Sequence, residues 1–326
     1  MEKMPISAKI IKEKILENFL GYVNIFTPVQ SNFLSDLQKK YHCLDSASIV
    51  LYFAKKTHQA ILRKKEYNLN YDLSLEKFWH NHSKADLEYS TILEIAKSTS
   101  IPKETTRRKL VKLIKEKVFI KKNKNIYWFP NDDYKIIFNE VVNREIRQLA
   151  KLTKYVTDKT DLNFSIEEIQ NEYKNKFSFY WFHYLDLQLK WLKLWKKQVQ
   201  DTEMILIFLH IATLLASKIK EKVSHEELFS KPDIVNRPKS KNINISISAT
   251  SLSDITGIPR ATCIRKLNQM VDKEMVLQDK ISKRYYIIPE ALDKGIVSKE
   301  LTKEVTRLFG EFYFIIINAI NSKNKD

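Results

Sequence analysis

Turn-forming residues and cysteines are scarce: the 326-residue chain has four glycines, eight prolines and two cysteines. So little Gly and Pro leaves few turn signals and many long segments whose apolar residues recur at helical spacing, and the expected class is mainly α. Cys43 and Cys263 cannot build a disulfide framework and lack metal-ligand spacing. Both are expected as buried small hydrophobes in a reducing compartment. No apolar run reaches the roughly 18 to 20 residues needed to span a bilayer. The most apolar stretches, 204–217 (MILIFLHIATLLAS) and 312–320 (FYFIIINAI), read as buried helices. The opening MEKMPISAKIIKEK scatters charges where a secretory signal would be continuously apolar, so a cytoplasmic location without a membrane partner is expected. No Gly-rich phosphate loop, nucleophile elbow or pair of catalytic carboxylates stands out, so neither an enzyme nor a cofactor is expected.

An apolar content of 44% with 11% aromatics excludes wholesale disorder, and the length allows two domains with full cores. The formal charge of +17 would hold a polyanion such as nucleic acid, or an acidic membrane surface, by counterion release and long-range attraction. Lys, Asn, Ile, Phe and Tyr are abundant together, however, a usage that AT-rich coding DNA produces with no functional demand. Where the cations lie must therefore carry the argument.

Compared with itself, the chain shows one strong match: IPKETTRRKL at 101–110 aligns with IPRATCIRKL at 258–267, a shift of 157 residues with six of ten positions identical. Without a gap the match places Ile95 on Leu252, Thr99 on Thr256, Leu113 on Met270, Ile114 on Val271 and Ile120 on Leu277. It closes in YWFP and YYIIP, where Pro130 and Pro289 are 159 apart, so the second copy carries two extra residues, an indel that points to a loop. Upstream, the apolar segment 48–62 falls on 205–219, and 32–41 falls near 190–199 with a weaker likeness. The reading is a duplicated unit of about 160 residues, 1–160 and 161–326, with its boundary in the polar stretch 157–163. Each copy reads as a long buried helix, a polar excursion (64–86 or 223–243), a short helix, a tight turn, a second helix and two short strands around a charged loop. The sequence INISI at 243–247 alternates enough for a strand. Helical segments 134–156 and 291–322 follow the strands, candidates for an inter-domain or dimer interface.

The second copy reads LSDITGIPRATCIRKL, an apolar and small residue, Thr-Gly, an apolar residue, Pro at a helix start, then Thr and Arg on the next helix. This pattern resembles the winged helix-turn-helix families of bacterial regulators, such as the MarR, IclR and Crp types. Gly257 falls where the turn asks for positive φ, and Pro259 suits a first helical turn, where its missing N–H would be unpaired. The first copy has Ser100 in place of that glycine, which costs about 1 kcal/mol if the position is left-handed. The resemblance covers 40 to 50 residues per copy, with the helix-turn-helix at about 90–116 and 248–273 and the wing at about 118–130 and 275–289. It names no single family.

On the second helix Thr106, Leu110 and Leu113, and likewise Cys263, Leu267 and Met270, repeat at i, i+4, i+7 and should face the core. The opposite face carries Lys103, Glu104, Arg107 and Arg108 in the first copy and Arg260, Ala261, Ile264 and Arg265 in the second. The resemblance places this helix in the DNA major groove, where Arg can pair bidentately with guanine and Glu can accept from cytosine. It makes Lys103, Glu104 and Arg108, with Arg260 and Arg265, candidates for base or adjacent phosphate contact. It also makes Thr105 and Thr262 candidates for phosphate contact, and Arg107, Lys112 and Lys266 further DNA-contact candidates. The loops corresponding to the wing bring Lys121, Lys122 and Lys124, and Lys280, Lys283 and Arg284, to the backbone or minor groove.

Only His80 and His82 lie close together among the histidines, and no Cys or acidic pair completes a zinc set, so no metal is expected. The aromatic segment 177–195 (FSFYWFHYLDLQLKWLKLW) reads first as a packing helix, with a small hydrophobic effector or a protein partner as the sharper alternatives. The expectation for the whole is a non-enzymatic, sequence-specific reader of double-stranded DNA, a transcriptional regulator using two recognition helices on two half-sites; a homodimer is compatible with it. A replication initiator of plasmid or phage type, and a protein-interaction module on winged-helix scaffolds, are the alternatives.

Overall fold

The protein is described by a computed structural model over residues 6–84, 89–128, 130, 132–160, 162–222, 246–287 and 299–323. It is mainly helical with small antiparallel strands. The first half holds α1 (Ala8–Glu17), α2 (Phe19–Tyr41), α3 (Leu44–Tyr67), α4 (Phe78–Lys84), β1 (Tyr89–Ser90), α5 (Ile92–Thr99), α6 (Lys103–Lys115), β2 (Phe119–Lys122), β3 (Asn125–Trp128) and α7 (Asp132–Asp158). The second holds α8 (Ile166–Asn175), α9 (Phe177–Val199), α10 (Thr202–Lys222), α11 (Ala249–Thr256), α12 (Arg260–Asp272), β4 (Leu277–Gln278), β5 (Tyr285–Tyr286) and α13 (Lys299–Lys323). The expected excursion 223–243, most of the strand 243–247, the last wing residues 288–289 and the start of the helix expected from 291 lie outside the described residues.

The compact units are not the contiguous halves 1–160 and 161–326. One unit combines residues 1–11, 45–193 and 308–326, and the other combines 12–44 and 194–307. Each is therefore built from both halves of the chain. In the first unit α3, α4, the three-stranded sheet and α7 share a core with α8, most of α9 and the end of α13. Fully buried Phe53, Phe78, Phe177, Tyr184, Tyr313 and Ile316 come from four of these helices. Lys55 on α3 ties to α9 through Asp186 at 2.5 Å, and Asp186 also receives Lys190 at 2.7 Å. In the second unit α2 packs along α10, with Leu34, Ile205, Leu206 and Ile207 all buried, and α11, α12 and the turn between them close the core through Leu252, Leu267 and Ile258.

Local sequence explains where elements begin and end. Thr91 with Glu94, and Ser165 with Glu168, form capping boxes that satisfy the first free amides of α5 and α8. His42 and Gln200 adopt left-handed backbone at φ 60 and 58, and end α2 and α9 just before α3 and α10 begin. The expected helices 48–62, 134–156, 204–217 and 312–320 lie inside α3, α7, α10 and α13.

Two expectations are corrected. The excursion 64–86 is not wholly irregular: α4 forms within it, and Phe78 is fully buried, stacked on His58 at 4.7 Å and Phe138 at 5.3 Å. Because α4 is a helix, His80 and His82 point to different faces. Cys43 is half-buried at the α2–α3 junction, whereas Cys263 is buried and its thiol is pushed up to about 11 by desolvation. As read from the sequence, the aromatic segment forms a packing helix, α9, whose Tyr180, Trp181, Tyr184, Trp191 and Trp195 are core residues, and the cavity it lines with Ile146, Tyr173 and Phe312 is only about 10 Å³, too small for an organic ligand. Among the described residues no single helix is long and apolar enough to cross a membrane.

Three desolvated imidazoles, buried His58 and His210 and half-buried His82, make the fold acid-sensitive. Desolvation pushes His58 down to about 3 from 6.5, with the His82 ring adding to it; desolvation and Lys135 push His82 down to about 4; desolvation and Lys39 push His210, hydrogen-bonded to Ser35 at 2.7 Å, down to about 4. Between pH 6.5 and 4 the unfolded chain binds protons that the folded one refuses, so their contribution is complete above pH 6.5 and is lost as pH falls. Each group contributes up to about 1.4 kcal/mol per pH unit in that window. Denaturant titrations at pH 7.5 and 5.0 should show a fall of several kcal/mol, and equal stabilities would contradict the burial of these rings.

Candidate nucleic-acid interface

The helix–turn–helix segments are built alike. Thr91 caps α5 and Ser248 caps α11, each accepting from the amide three residues on. The turns pass through Ser100 at φ 54 and Gly257 at φ 74, so Ser100 occupies the left-handed position that glycine takes in the other segment. Thr99 Oγ1 donates to Ile95 O at 2.7 Å and Thr256 Oγ1 to Leu252 O at 2.6 Å, holding the last turn of each first helix. Pro102 and Pro259 stand at the N-cap, one position before the first helical turn where they were expected, with φ −53 and −54. Their carbonyls accept from Thr106 N–H at 2.8 Å and Cys263 N–H at 2.9 Å. After the second helices, Val118 N–H donates to Leu113 O and Met275 N–H to Met270 O. The antiparallel strands follow: β1 pairs β3 with Ser90 opposite Ile126, and β3 pairs β2 from Phe119–Trp128 to Lys122–Asn125. Correspondingly, Ile247 bridges Tyr285 beside the β4–β5 pair.

A non-glycine residue in left-handed backbone carries a strain of about 1 kcal/mol. Ser100→Gly should relieve most of it and raise the thermal midpoint. Gly257→Ala should lower it, by strain and because its Cβ would come within 2.7 Å of Lys39 Cγ. Opposite signs by calorimetry support these turns; a destabilising Ser100→Gly contradicts them.

The inward stripe of each second helix is Thr106, Leu110 and Leu113, or Cys263, Leu267 and Met270, all buried. This leaves Lys103, Glu104, Arg107, Arg108 and Lys112 exposed on α6, with Thr105 half-buried, and Arg260 and Arg265 exposed on α12, with Thr262 half-buried. Lys121, Lys122 and Lys124 are exposed on the first hairpin, and Lys280, Lys283 and Arg284 on the second. Several carry local partners. Glu104 and Arg107 form a bidentate pair, closest at 2.7 Å, that holds the carboxyl below its usual range; Lys112 faces Glu116 at 3.7 Å. Arg260 donates to Thr250 Oγ1, and Arg284 to Ser246 O at 2.7 Å.

Lys266 does not belong to this surface. It is 8% exposed on the inner side of α12 and is ion-paired with Asp201 and, at 3.8 Å, Glu203, both at the start of α10. Asp201 also accepts from the amides of Glu203 and Met204, so the pair anchors α12 to a helix N-terminus. Two further residues belong to the outward stripes although they were not singled out: Val111, 59% exposed on α6, and exposed Asn268 on α12. Continuing Arg107–Arg108 and Ile264–Arg265 by three or four positions would have found both.

The two surfaces differ in charge. Between 101 and 125 nine exposed cations face two carboxylates, whereas between 258 and 284 six exposed cations face Asp272, Glu274 and Asp279. The first should hold a polyanion more strongly. Neither shows a catalytic constellation, and among the described residues no group of three or more His, Cys, Asp or Glu could hold a metal ion. No family model, curated protein or solved structure matches the chain, so any role rests on the chain's own residues.

Proposed function

We propose that the protein is a sequence-specific reader of double-stranded DNA built from two winged helix-turn-helix repeats, acting as a transcriptional regulator with α6 and α12 as recognition helices. The observation that supports this most is the division of α6: its inner stripe is packed, while its outer stripe and the following hairpin present Lys103, Arg107, Arg108, Lys121, Lys122 and Lys124 to solvent. A helix about 10–12 Å across fits a major groove about 12 Å wide, and its exposed N-terminal side chains reach base edges. Hairpin lysines then lie along the phosphates, where they neutralise charge and release counterions. The same arrangement of cap, left-handed turn, Pro-led helix and hairpin in the second half supports a second reading head, anchored from behind by Lys266.

The outward side chains differ, Lys103-Glu104-Arg107-Arg108 against Arg260-Ala261-Ile264-Arg265. The protein should therefore select, from a random duplex pool, a bipartite motif with unequal halves, about one helical turn apart if both helices engage one face of the duplex. A perfect inverted repeat, or a pool that fails to enrich, counts against the reading.

A further inference from the structure

The tip of the β4–β5 hairpin holds a side chain that the fold does not use. Ile281 is 95% exposed, more than any other large hydrophobic residue among those described. Its backbone is nevertheless held in place. The Asp279 carboxylate accepts from the amides of Ile281 at 3.1 Å and Ser282 at 2.6 Å. Asp279 N–H donates to Arg284 O at 2.9 Å, Lys283 N–H returns to Asp279 O at 3.0 Å, and the Arg284 guanidinium is fixed to Ser246. An ordered turn thus presents one branched aliphatic group beside exposed Lys280 and Lys283. The first hairpin has only Asn123 and Lys124 at its tip.

We infer that Ile281 is an apolar wedge that enters the minor groove of bound duplex DNA and unstacks a base step there. The inference rests on the DNA-binding reading and deepens it. Aliphatic wedges act by inserting between base steps, most easily at pyrimidine–purine steps, and the flanking lysines meet the phosphates on either side. Because the turn is already ordered, little conformational freedom is lost on insertion. A bilayer is the poorer partner: a single Ile next to the Asp279 carboxylate buries too little apolar surface to hold a membrane by itself, whereas at a DNA site it only adds to the grip of α12.

The full-length protein should be titrated into an AT-rich duplex carrying 2-aminopurine at TA steps, whose fluorescence rises on unstacking. Wild type should bind with a rise. Ile281→Ser, a surface change whose thermal midpoint should equal wild type, should remove the rise and weaken binding about tenfold. Lys280→Ala with Lys283→Ala should weaken binding and flatten its salt dependence, yet keep the rise at saturation. Binding without a rise, or a rise unaffected by Ile281→Ser, overturns the wedge and leaves the DNA reading standing. If wild type binds no duplex, the DNA reading fails and the wedge with it. Co-sedimentation with phosphatidylserine vesicles that Ile281→Ser abolishes, with duplex signals unchanged, assigns the tip to a membrane and also overturns the inference.

Discussion

Cut between residues 160 and 161, the chain should give two fragments that do not fold cooperatively as monomers. The reason is the composition of the compact units. The first unit loses Phe177, Tyr180, Trp181, Tyr184, Leu185 and Trp191 of α9, together with Ile316 and Ile317 of α13, all of which are buried in it. At about 2 kcal/mol for each large apolar side chain, the six from α9 alone account for roughly 12 kcal/mol, comparable with the whole stability of an ordinary domain. In the other fragment α10 loses α2, and with it the Ser35–His210 hydrogen bond. Circular dichroism and sedimentation on each fragment, and on the mixture, test this. The fragments alone should melt without a cooperative transition and the mixture should recover one. A monomeric fragment 1–160 that melts like the intact protein contradicts the exchange of helices.

The second large effect concerns selectivity. Arg108 and Arg265 occupy corresponding positions on α6 and α12 and both are exposed, whereas Arg107 is held by Glu104. A bidentate arginine on a guanine edge contributes about 1–3 kcal/mol of discrimination. Replacing both with Ala should therefore lower the ratio of specific to non-specific affinity about a hundredfold, with little change in thermal stability because neither side chain is packed. Each single change should relax one half of the selected motif only. Lys266→Ala behaves otherwise: it removes the partner of Asp201 and should reduce stability before selectivity. If the double variant keeps the wild-type motif and affinity, the outward stripes are solvated surface and the protein-interaction reading gains.

How much of this was legible in the sequence depended on the range of the interactions. The helix–turn–helix segments could be read because their determinants are local: a Thr or Ser cap, a residue that tolerates left-handed backbone, a proline and an i, i+4, i+7 apolar stripe fall within about twenty positions. Ser100 shows that the position, rather than the glycine, is what recurs. The long helices α3, α7, α10 and α13 were likewise legible from periodicity. What stayed hidden is non-local. Nothing in the pattern of α2 or α9 says which unit each joins, since an apolar stripe specifies that a face is buried but not against what. Lys266 read as surface because its partner Asp201 is 65 positions away. Helix α4 was missed because its polar flanks mask the buried Phe78, and β1 because a two-residue strand carries no period. Exposed Ile281 could be read as apolar, but its presentation depends on the turn that Asp279 organises.

The central claim is that the exposed cations of α6 and its hairpin, with those of α12, form a DNA-reading surface. Its most direct test is the salt dependence of full-length protein binding to mixed genomic duplex DNA, with a basic protein of similar charge as control. The account predicts a log–log slope that corresponds to several phosphate contacts, at about 0.9 per contact, and tighter binding than the control to a selected subset of fragments. Binding no tighter than the control on any duplex would contradict it.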